Sequence, residues 1–373
     1  MHSVLTSDLD RAVRGNGASA PAIEVQNLSH AYGHVAVLRQ VELAIRDGEF
    51  VTLLGPSGCG KTTLLQIVAG LIRPSEGSVA VAGTVVVDRR RYVPPEKRGL
   101  SVVFQDYALW PHLTVRQHVE FPLAIRHDSR ERITTRVDEV LRQVGLTNEA
   151  DRQPRELSGG QQQRVAMARA LAHVPTALLL DEPLSNLNAS LRSQVREELV
   201  DLCKRTGVAC LYVTHDQLEA LAMSDRLAVM ADGVIVQQGA PEAVFREPAS
   251  AAVAHIVGCG EAIPGRWTGG AFMPANLAIR WHSRCNPAVA DGDTAVLVVP
   301  PAHIHLDVEP RCANSAEVTV TRNTYQGDHY EVTCSLAGTH VIQARSPSAL
   351  PHGPAFLSFR PEDSYVTPGK DTA

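Results

Sequence analysis

From about Pro21 to Gly258, continuous apolar runs alternate with stretches in which apolar residues recur every three or four positions. Phe50–Leu54, Val102–Phe104, Ala177–Leu180, Cys210–Val213 and Leu227–Met230 are apolar without alternation, the pattern of strands buried on both faces of a parallel sheet. Between them the spacing predicts helices over Lys61–Leu71, Thr114–Ile125, Ile133–Val144, Gln161–Ala172, Ala189–Thr206 and Gln217–Met223. Ile23–Gln26 and Val41–Ile45 instead alternate apolar and polar residues, which suits an antiparallel edge.

Beyond Gly258 the pattern changes. Pro and Gly become frequent, and short strand-like runs recur at Thr294–Val299, Ala316–Thr321, His329–Ser335, His340–Ala344 and Ala355–Phe359. No segment there keeps a long helical period, so a small β-barrel or sandwich is expected. The chain therefore divides into a loose tail (1–20), an α/β domain (21–258) and a β domain (259–373).

Composition narrows the function without naming it. Of 373 residues, 44% are hydrophobic and 20% charged, enough apolar surface for a real core in each domain. The 35 basic and 40 acidic side chains leave a net charge of −5, against a dedicated nucleic-acid binder. No apolar run reaches the roughly 18–20 residues that span a bilayer. Met1–Ala20 has no apolar stretch of the kind a secretory signal needs. The seven cysteines are scattered, with no Cys-x-x-Cys, which fits a reducing cytosol better than a disulfide framework.

The chemistry begins at Gly55-Pro56-Ser57-Gly58-Cys59-Gly60-Lys61-Thr62-Thr63, a G-x-x-x-x-G-K-[ST] loop between an expected strand and an expected helix. Glycines let successive backbone N–H groups turn inward around phosphate oxygens, and the helix N-terminus adds positive potential. Lys61 can then reach the β- and γ-phosphates, while the Thr62 hydroxyl is placed for Mg²⁺. Four fixed positions arise by chance in a chain this long only about 1% of the time, so a nucleotide site is expected.

Leu178-Leu179-Leu180-Asp181-Glu182-Pro183 ends an apolar run in two carboxylates. Ligands of open α/β sheets bind beyond the carboxyl ends of the strands, where these two residues emerge. Asp181 suits Mg²⁺, through water because that ion dehydrates reluctantly. Glu182 is then the candidate to orient and deprotonate an attacking water.

Leu157-Ser158-Gly159-Gly160-Gln161-Gln162-Gln163-Arg164 precedes the carboxylate strand by one helix. With the two motifs above, the chain from about Ile23 to Gly258 resembles the ATP-binding subunit of ATP-binding-cassette (ABC) transporters. That resemblance implies an α/β P-loop NTPase fold with a helical subdomain, ATP and Mg²⁺ as ligands, and a two-fold dimer. In such a dimer Ser158, Gly159, Gly160 and Gln161 of one subunit close over the nucleotide held by the other. It further implies that Tyr32 stacks on adenine and that Gln105 senses Mg²⁺ and the γ-phosphate. His215 is implied to contact the γ-phosphate and to hold Glu182. One departure is Ser185-Asn186-Leu187-Asn188, where the family commonly ends in Asp; Asn188 keeps hydrogen-bonding shape but loses a charge.

Tyr107, Leu109 and Trp110 follow Gln105, and by resemblance they belong to a groove that receives the membrane subunits. The segment after Gly258 looks like the OB-type (TOBE-type) modules of importer ATPases for sugars, polyamines, ferric iron and sulfate. Arg360-Pro361-Glu362-Asp363 is similar to their recurring Arg-Pro-Glu element. His303 and His305 would share one face of a strand, too few ligands for a metal site by themselves. The expectation is therefore an ATP-hydrolysing importer subunit, peripheral on the cytoplasmic face of the inner membrane. Its expected partners are two permease subunits and an external solute-binding protein, with no nucleic acid. The Tyr107–His112 stretch leans toward ferric iron or a polyamine (spermidine or putrescine) as solute. The alternatives are import of sugar, sulfate or phosphonate, or an ABC exporter.

Overall fold

The computed structural model describes residues 20–125 and 129–369, so the expected tail lies, but for Ala20, outside the described residues. Two compact units divide the chain: the first takes the described residues of 1–52, 60–213 and 232–234, the second those of 53–59, 214–231 and 235–373.

In the first unit, β1 (Ile23–Tyr32), β2 (Val35–Ile45) and later β4 (Glu76–Val81) and β5 (Thr84–Val87) form an antiparallel sheet in the order β2-β1-β4-β5. Ile23 pairs with Ile45 on one side and Val81 on the other. The alternation near the N-terminus therefore belongs to much longer strands, whose register slips at Val25/Leu28 break the pattern locally. The second sheet places β3 (Phe50–Leu54), β8 (Ala209–Thr214), β7 (Ala177–Asp181) and β6 (Leu100–Val103) side by side. Val103 pairs with Leu180 and Asp181 with Val213, both in parallel ladders. Every residue of β3 and β8 is buried, as their unbroken apolar runs require. Phe104, expected to end β6, lies outside it and is 36% exposed.

The helices of this unit are α1 (Lys61–Ala69), α2 (Val115–Ile125), α3 (Arg130–Gln143), α4 (Gly159–Leu171) and α5 (Ala189–Thr206), with α2 and α3 packed on each other and on α4. Helix α1 stops short of the expected Leu71 because Gly70 turns left-handed at φ 87. Beneath that end lies Arg98, only 3% exposed, whose Nη1 donates to the carbonyls of Ile67 (2.8 Å) and Val68 (2.9 Å). A cation there satisfies orphan carbonyls and complements the helix dipole. Helices α3 and α4 begin earlier than their periodicity suggests because Ser129 and Ser158 accept hydrogen bonds from Arg132 N and Gln161 N.

In the second unit, α6 (Gln217–Met223), β9 (Arg226–Ala231), β10 (Val234–Gly239), α7 (Pro241–Arg246) and α8 (Ala251–Val257) precede the β module. Helix α7 is only six residues long and α8 (Ala251–Val257) is apolar at all but one position, so neither shows a helical period. The module pairs β11 (Glu261–Thr268), β12 (Ala271–Pro274), β13 (Arg284–Cys285), β14 (Thr294–Val299) and β20 (Tyr365–Pro368) in one five-stranded sheet. The other five-stranded sheet holds β15 (His305–Asp307), β16 (Ser315–Tyr325), β17 (Tyr330–Leu336), β18 (His340–Ser346) and β19 (Gly353–Ser358). Its core centres on Phe272, Trp281, Leu297, Leu357 and Phe359. Val298 of β14 joins a separate cluster with Leu54, Ala220, Val229 and Val253. The β module and the elements before it thus share apolar burial within this unit.

Candidate functional site

The phosphate loop leaves the buried end of β3 at a position only glycine can fill. A Cβ on Gly55 would lie 2.2 Å from the Met230 carbonyl oxygen and 2.8 Å from Cys59 Sγ. Pro56, Ser57 and Gly58 are exposed, and nothing lies within 4 Å of where a Gly58 Cβ would stand. Gly60, at φ 106, is the N-cap of α1 and offers no side chain to its first turn, which also lacks an acidic residue. A helix N-terminus without side-chain cap or carboxylate is an anion site in waiting. Lys61 is buried at 5% exposure, Thr63 is half-buried, and Thr62 is exposed.

Strand β7 delivers the carboxylates. Thr62 Oγ1 donates to Asp181 Oδ1 at 3.2 Å, which brings the loop hydroxyl to the strand end. Burial pushes the Asp181 carboxyl up and neighbouring Glu182 adds to this, while the Thr62 hydrogen bond and the Lys61 charge oppose them. Glu182 takes the left-handed conformation at φ 45. It is held there by its own N–H on the Val213 carbonyl (3.0 Å) and by Ser185, whose N–H and Oγ both donate to its carbonyl. Non-glycine residues in that region carry strain that surrounding bonds must hold, and such strain gathers at functional sites. A half-buried carboxylate beside a hydroxyl is a hard oxygen donor set of the kind Mg²⁺ accepts, and a cation would offset the desolvation that raises Asp181. The residues present therefore fit both a phosphate and Mg²⁺.

Gln105 follows β6, and its carbonyl accepts from Asn186 Nδ2 at 2.8 Å, tying it to the loop after the carboxylates. Sequence reasoning missed Asn186, and it missed Arg169 of α4. Tyr107 and Ala108 sit at φ 60 and 45, and the Arg169 guanidinium donates to both their carbonyls at 2.7 and 2.5 Å. Its face also lies over the Trp110 ring, 5.4 Å from the centroid. Tyr107 is buried at 5% exposure, inside the unit rather than in an open groove, whereas Trp110 is 36% exposed. Fully buried His118 completes the arrangement: Trp110 N–H donates to its Nε2 (2.9 Å), so Nδ1 carries the proton toward the Thr114 carbonyl (2.8 Å). Burial lowers the His118 pKa and keeps that neutral form. None of these long-range contacts has a signature in residue spacing.

The signature segment opens α4. Ser158 and Gln161 form a capping box, with Gln161 Oε1 accepting from Ser158 N at 2.9 Å. Gly159 and Gly160 allow close approach to the following loop and helix: a Cβ on Gly159 would stand 3.1 Å from Leu187 and one on Gly160 3.2 Å from Val195 of α5. Asn188 is the N-cap of α5, its Oδ1 accepting from Leu191 N at 2.9 Å. Asn and Asp cap about equally well, so the departure from the family pattern preserves the local structure. Tyr32 ends β1 half exposed, its ring edge-on to His30 at 4.7 Å. His215 is exposed in a turn built by its neighbours: Thr214 Oγ1 donates to Glu219 Oε2 (2.7 Å) and Asp216 caps α6. In the β module His303 Nδ1 lies 2.8 Å from Asp363 Oδ1, within the Arg-Pro-Glu-Asp element. Among the described residues, no group of three or more His, Cys, Asp or Glu could hold a metal ion.

Residues 38–185 match the ABC transporter family model and residues 297–366 the TOBE domain model. The chain belongs to the ABC transporter family, as an ATP-binding subunit of the import type that hydrolyses ATP, with a C-terminal TOBE domain. Among its relatives, the spermidine/putrescine import ATP-binding protein PotA of Thermobifida fusca is 41% identical, covering 94% of both chains. PotA of Chromobacterium violaceum is 40% identical over 88% of this chain and 92% of its own. The trehalose/maltose import ATP-binding protein MalK of Thermococcus litoralis is 49% identical, but over 61% of this chain and 62% of its own. A solved structure, cbiO1 from Clostridium perfringens, part of the ABC transporter complex cbiONQ, superposes with a TM-score of 0.56 at 30% identity. It covers 61% of this chain and 91% of that one. Among the described residues no helix is long and apolar enough to cross a membrane.

Proposed function

We propose that this subunit couples Mg²⁺-dependent ATP hydrolysis to import of a polyamine, spermidine or putrescine. The observation that carries the solute is that relatives named as spermidine/putrescine importers match the chain from 63% up to 94% of its length, the longest including the β module, whereas the MalK match covers 61%. The expected lean toward ferric iron or polyamine thus narrows to polyamine, with sugar import as the second reading.

The same reading assigns roles to the site residues. Gly55–Thr63 hold the phosphates, Lys61 neutralises their charge, and Tyr32 offers a half-exposed ring to the adenine. Bound Mg²⁺, taken by Thr62 and Asp181 with Gln105 nearby in the family scheme, supplies charge neutralisation on the phosphate oxygens. Glu182 accepts a proton from water as the water oxygen bonds to the γ-phosphorus, and the bond to the β-phosphate oxygen breaks to release ADP and phosphate. By likeness to the family, His215 acts on the γ-phosphate and Ser158–Gln161 serve the partner's nucleotide in a homodimer. We further assign residues 21–258 to the ATPase and 259–373 to the β module. The dimer would be peripheral to the membrane, bound to two permease subunits supplied by an external solute-binding protein.

Uptake of labelled spermidine in cells lacking this gene tests the solute. Restoration by the wild-type chain and not by Lys61→Ala supports the reading. Restored maltose uptake without spermidine uptake would replace it with the sugar reading.

A further inference from the structure

Strand β1 ends in Tyr32, and the loop Gly33-His34 then leads to Val35 of β2. Tyr32 is 50% exposed and its cross-strand neighbour Val35 66%, so the hairpin end by itself does little to hold an aromatic ring. What meets the Tyr32 ring is His30, two residues earlier on the same strand, with centroids 4.7 Å apart and planes at 89°. His30 is half-buried, and neither of its ring nitrogens is open to solvent or has a hydrogen-bond partner among the described residues. Packing, then, holds this ring. The backbone beneath it is unusually fixed. Strand β2 carries an extra residue on each side of the His30↔Leu38 pair, an irregularity that re-aims side chains. Gln40 N–H donates to Ser29 Oγ at 3.0 Å and Ala31 N–H to Ser75 Oγ at 3.3 Å, while Ser75 N–H donates to the Ser29 carbonyl at 2.9 Å.

We propose that His30 is a positioning residue for nucleotide binding, whose ring orients Tyr32 so that an open face of the tyrosine receives the adenine. This rests on the adenine role assigned to Tyr32 above. In an edge-to-face pair, whichever ring supplies the edge, at least one face of the tyrosine stays free for a base. An exposed tyrosine without such a neighbour populates several rotamers and gives up that freedom when a base stacks on it. A tyrosine already held gives up less, so the base binds more tightly while the phosphates gain nothing. His30 therefore acts on ATP affinity through Tyr32 and not on the chemistry at Asp181 and Glu182. An aromatic ring of any polarity at position 30 would serve, and an aliphatic side chain of similar bulk would not.

The test is steady-state ATP turnover by the full chain, together with inhibition by tripolyphosphate, which has the phosphates but no base. Tyr32→Ala is expected to raise the ATP KM about tenfold or more. His30→Ala should raise it about three- to tenfold, with kcat and the tripolyphosphate inhibition constant each within about twofold. His30→Phe should restore the KM, and His30→Leu, the substitute should the alanine variant not fold, should not. Because His30 acts through Tyr32, the double variant should be no worse than Tyr32→Ala alone. An unmoved KM in Tyr32→Ala would remove the adenine reading and this proposal with it. A raised KM in Tyr32→Ala but not in His30→Ala or His30→Leu would overturn the positioning role alone. So would failure of His30→Phe to restore the KM, or effects that multiply in the double variant.

Discussion

The ATPase core and the C-terminal β module follow opposite logics. In the core, irregularity reaches the motifs themselves: Glu182, Tyr107 and Ala108 take left-handed backbone, Lys61 is buried, and burial raises the Asp181 carboxyl. Each is held by a specific partner, Val213 for Glu182 and Arg169 for Tyr107. The β module spends its buried positions on Trp281, Phe272 and Phe359, with Trp281 edge-on to Phe359 at 5.1 Å. Two buried residues there have their donors satisfied: Trp281 Nε1 by the Ser315 carbonyl at 3.2 Å and Asn314 Nδ2 by the His282 carbonyl at 2.6 Å. Left-handed backbone occurs in the β module too, at Asn276 and Ala337; what sets the core apart is that strained Glu182 adjoins the half-buried Asp181 carboxylate.

The sharpest test of this contrast is Glu182→Gln. It removes the proton acceptor but keeps the side chain's shape, so ATP turnover should fall about 10²–10⁴-fold with thermal unfolding unchanged. A comparable loss of stability would mean that Glu182 holds structure rather than chemistry. In the β module the balance should reverse. Trp281→Ala is expected to destabilise its unit by about 3–5 kcal/mol in denaturant titration, a cavity effect with no chemical component.

Smaller effects probe the seams. His118 is held below the ordinary imidazole pKa by burial, so the unfolded chain binds a proton that the folded chain resists. Its contribution is intact above pH about 6.5 and is lost as pH falls below that. Acid sensitivity between pH 7 and 5 should be shallower in His118→Asn, read by melting temperature against pH. Smallest of all should be Asn188→Asp. The cap survives and a family charge returns, so steady-state ATPase is expected to rise modestly, about two- to threefold, without a stability change. No faster turnover would mean the substitution is neutral.

What the residues reveal in advance follows the same division. The phosphate loop and the signature are legible because backbone chemistry demands fixed residues at fixed spacing, and Phe50–Leu54, Ala189–Thr206 and Gln217–Met223 coincide with the elements observed. Asn186 on Gln105, Arg169 on the Tyr107 and Ala108 carbonyls, and His118 beneath Trp110 are illegible because each joins residues brought together only by folding. The β module's strands show as alternation, but β16 runs to Tyr325, past the expected Thr321, because its ladder with β17 continues through Tyr325↔Tyr330. Short helices such as α7 fall below the length at which periodicity speaks.

The most direct test of the central claim, that this chain works as a dimeric ATPase on a membrane importer, uses Glu182→Gln in place of the wild type. The chain would be purified with Mg-ATP from native membranes in gentle detergent, and its companions identified by mass spectrometry. The account predicts two copies of the chain with two multi-helix permease subunits. Recovery with soluble or nucleic-acid partners alone, reproduced under the same conditions, would contradict it.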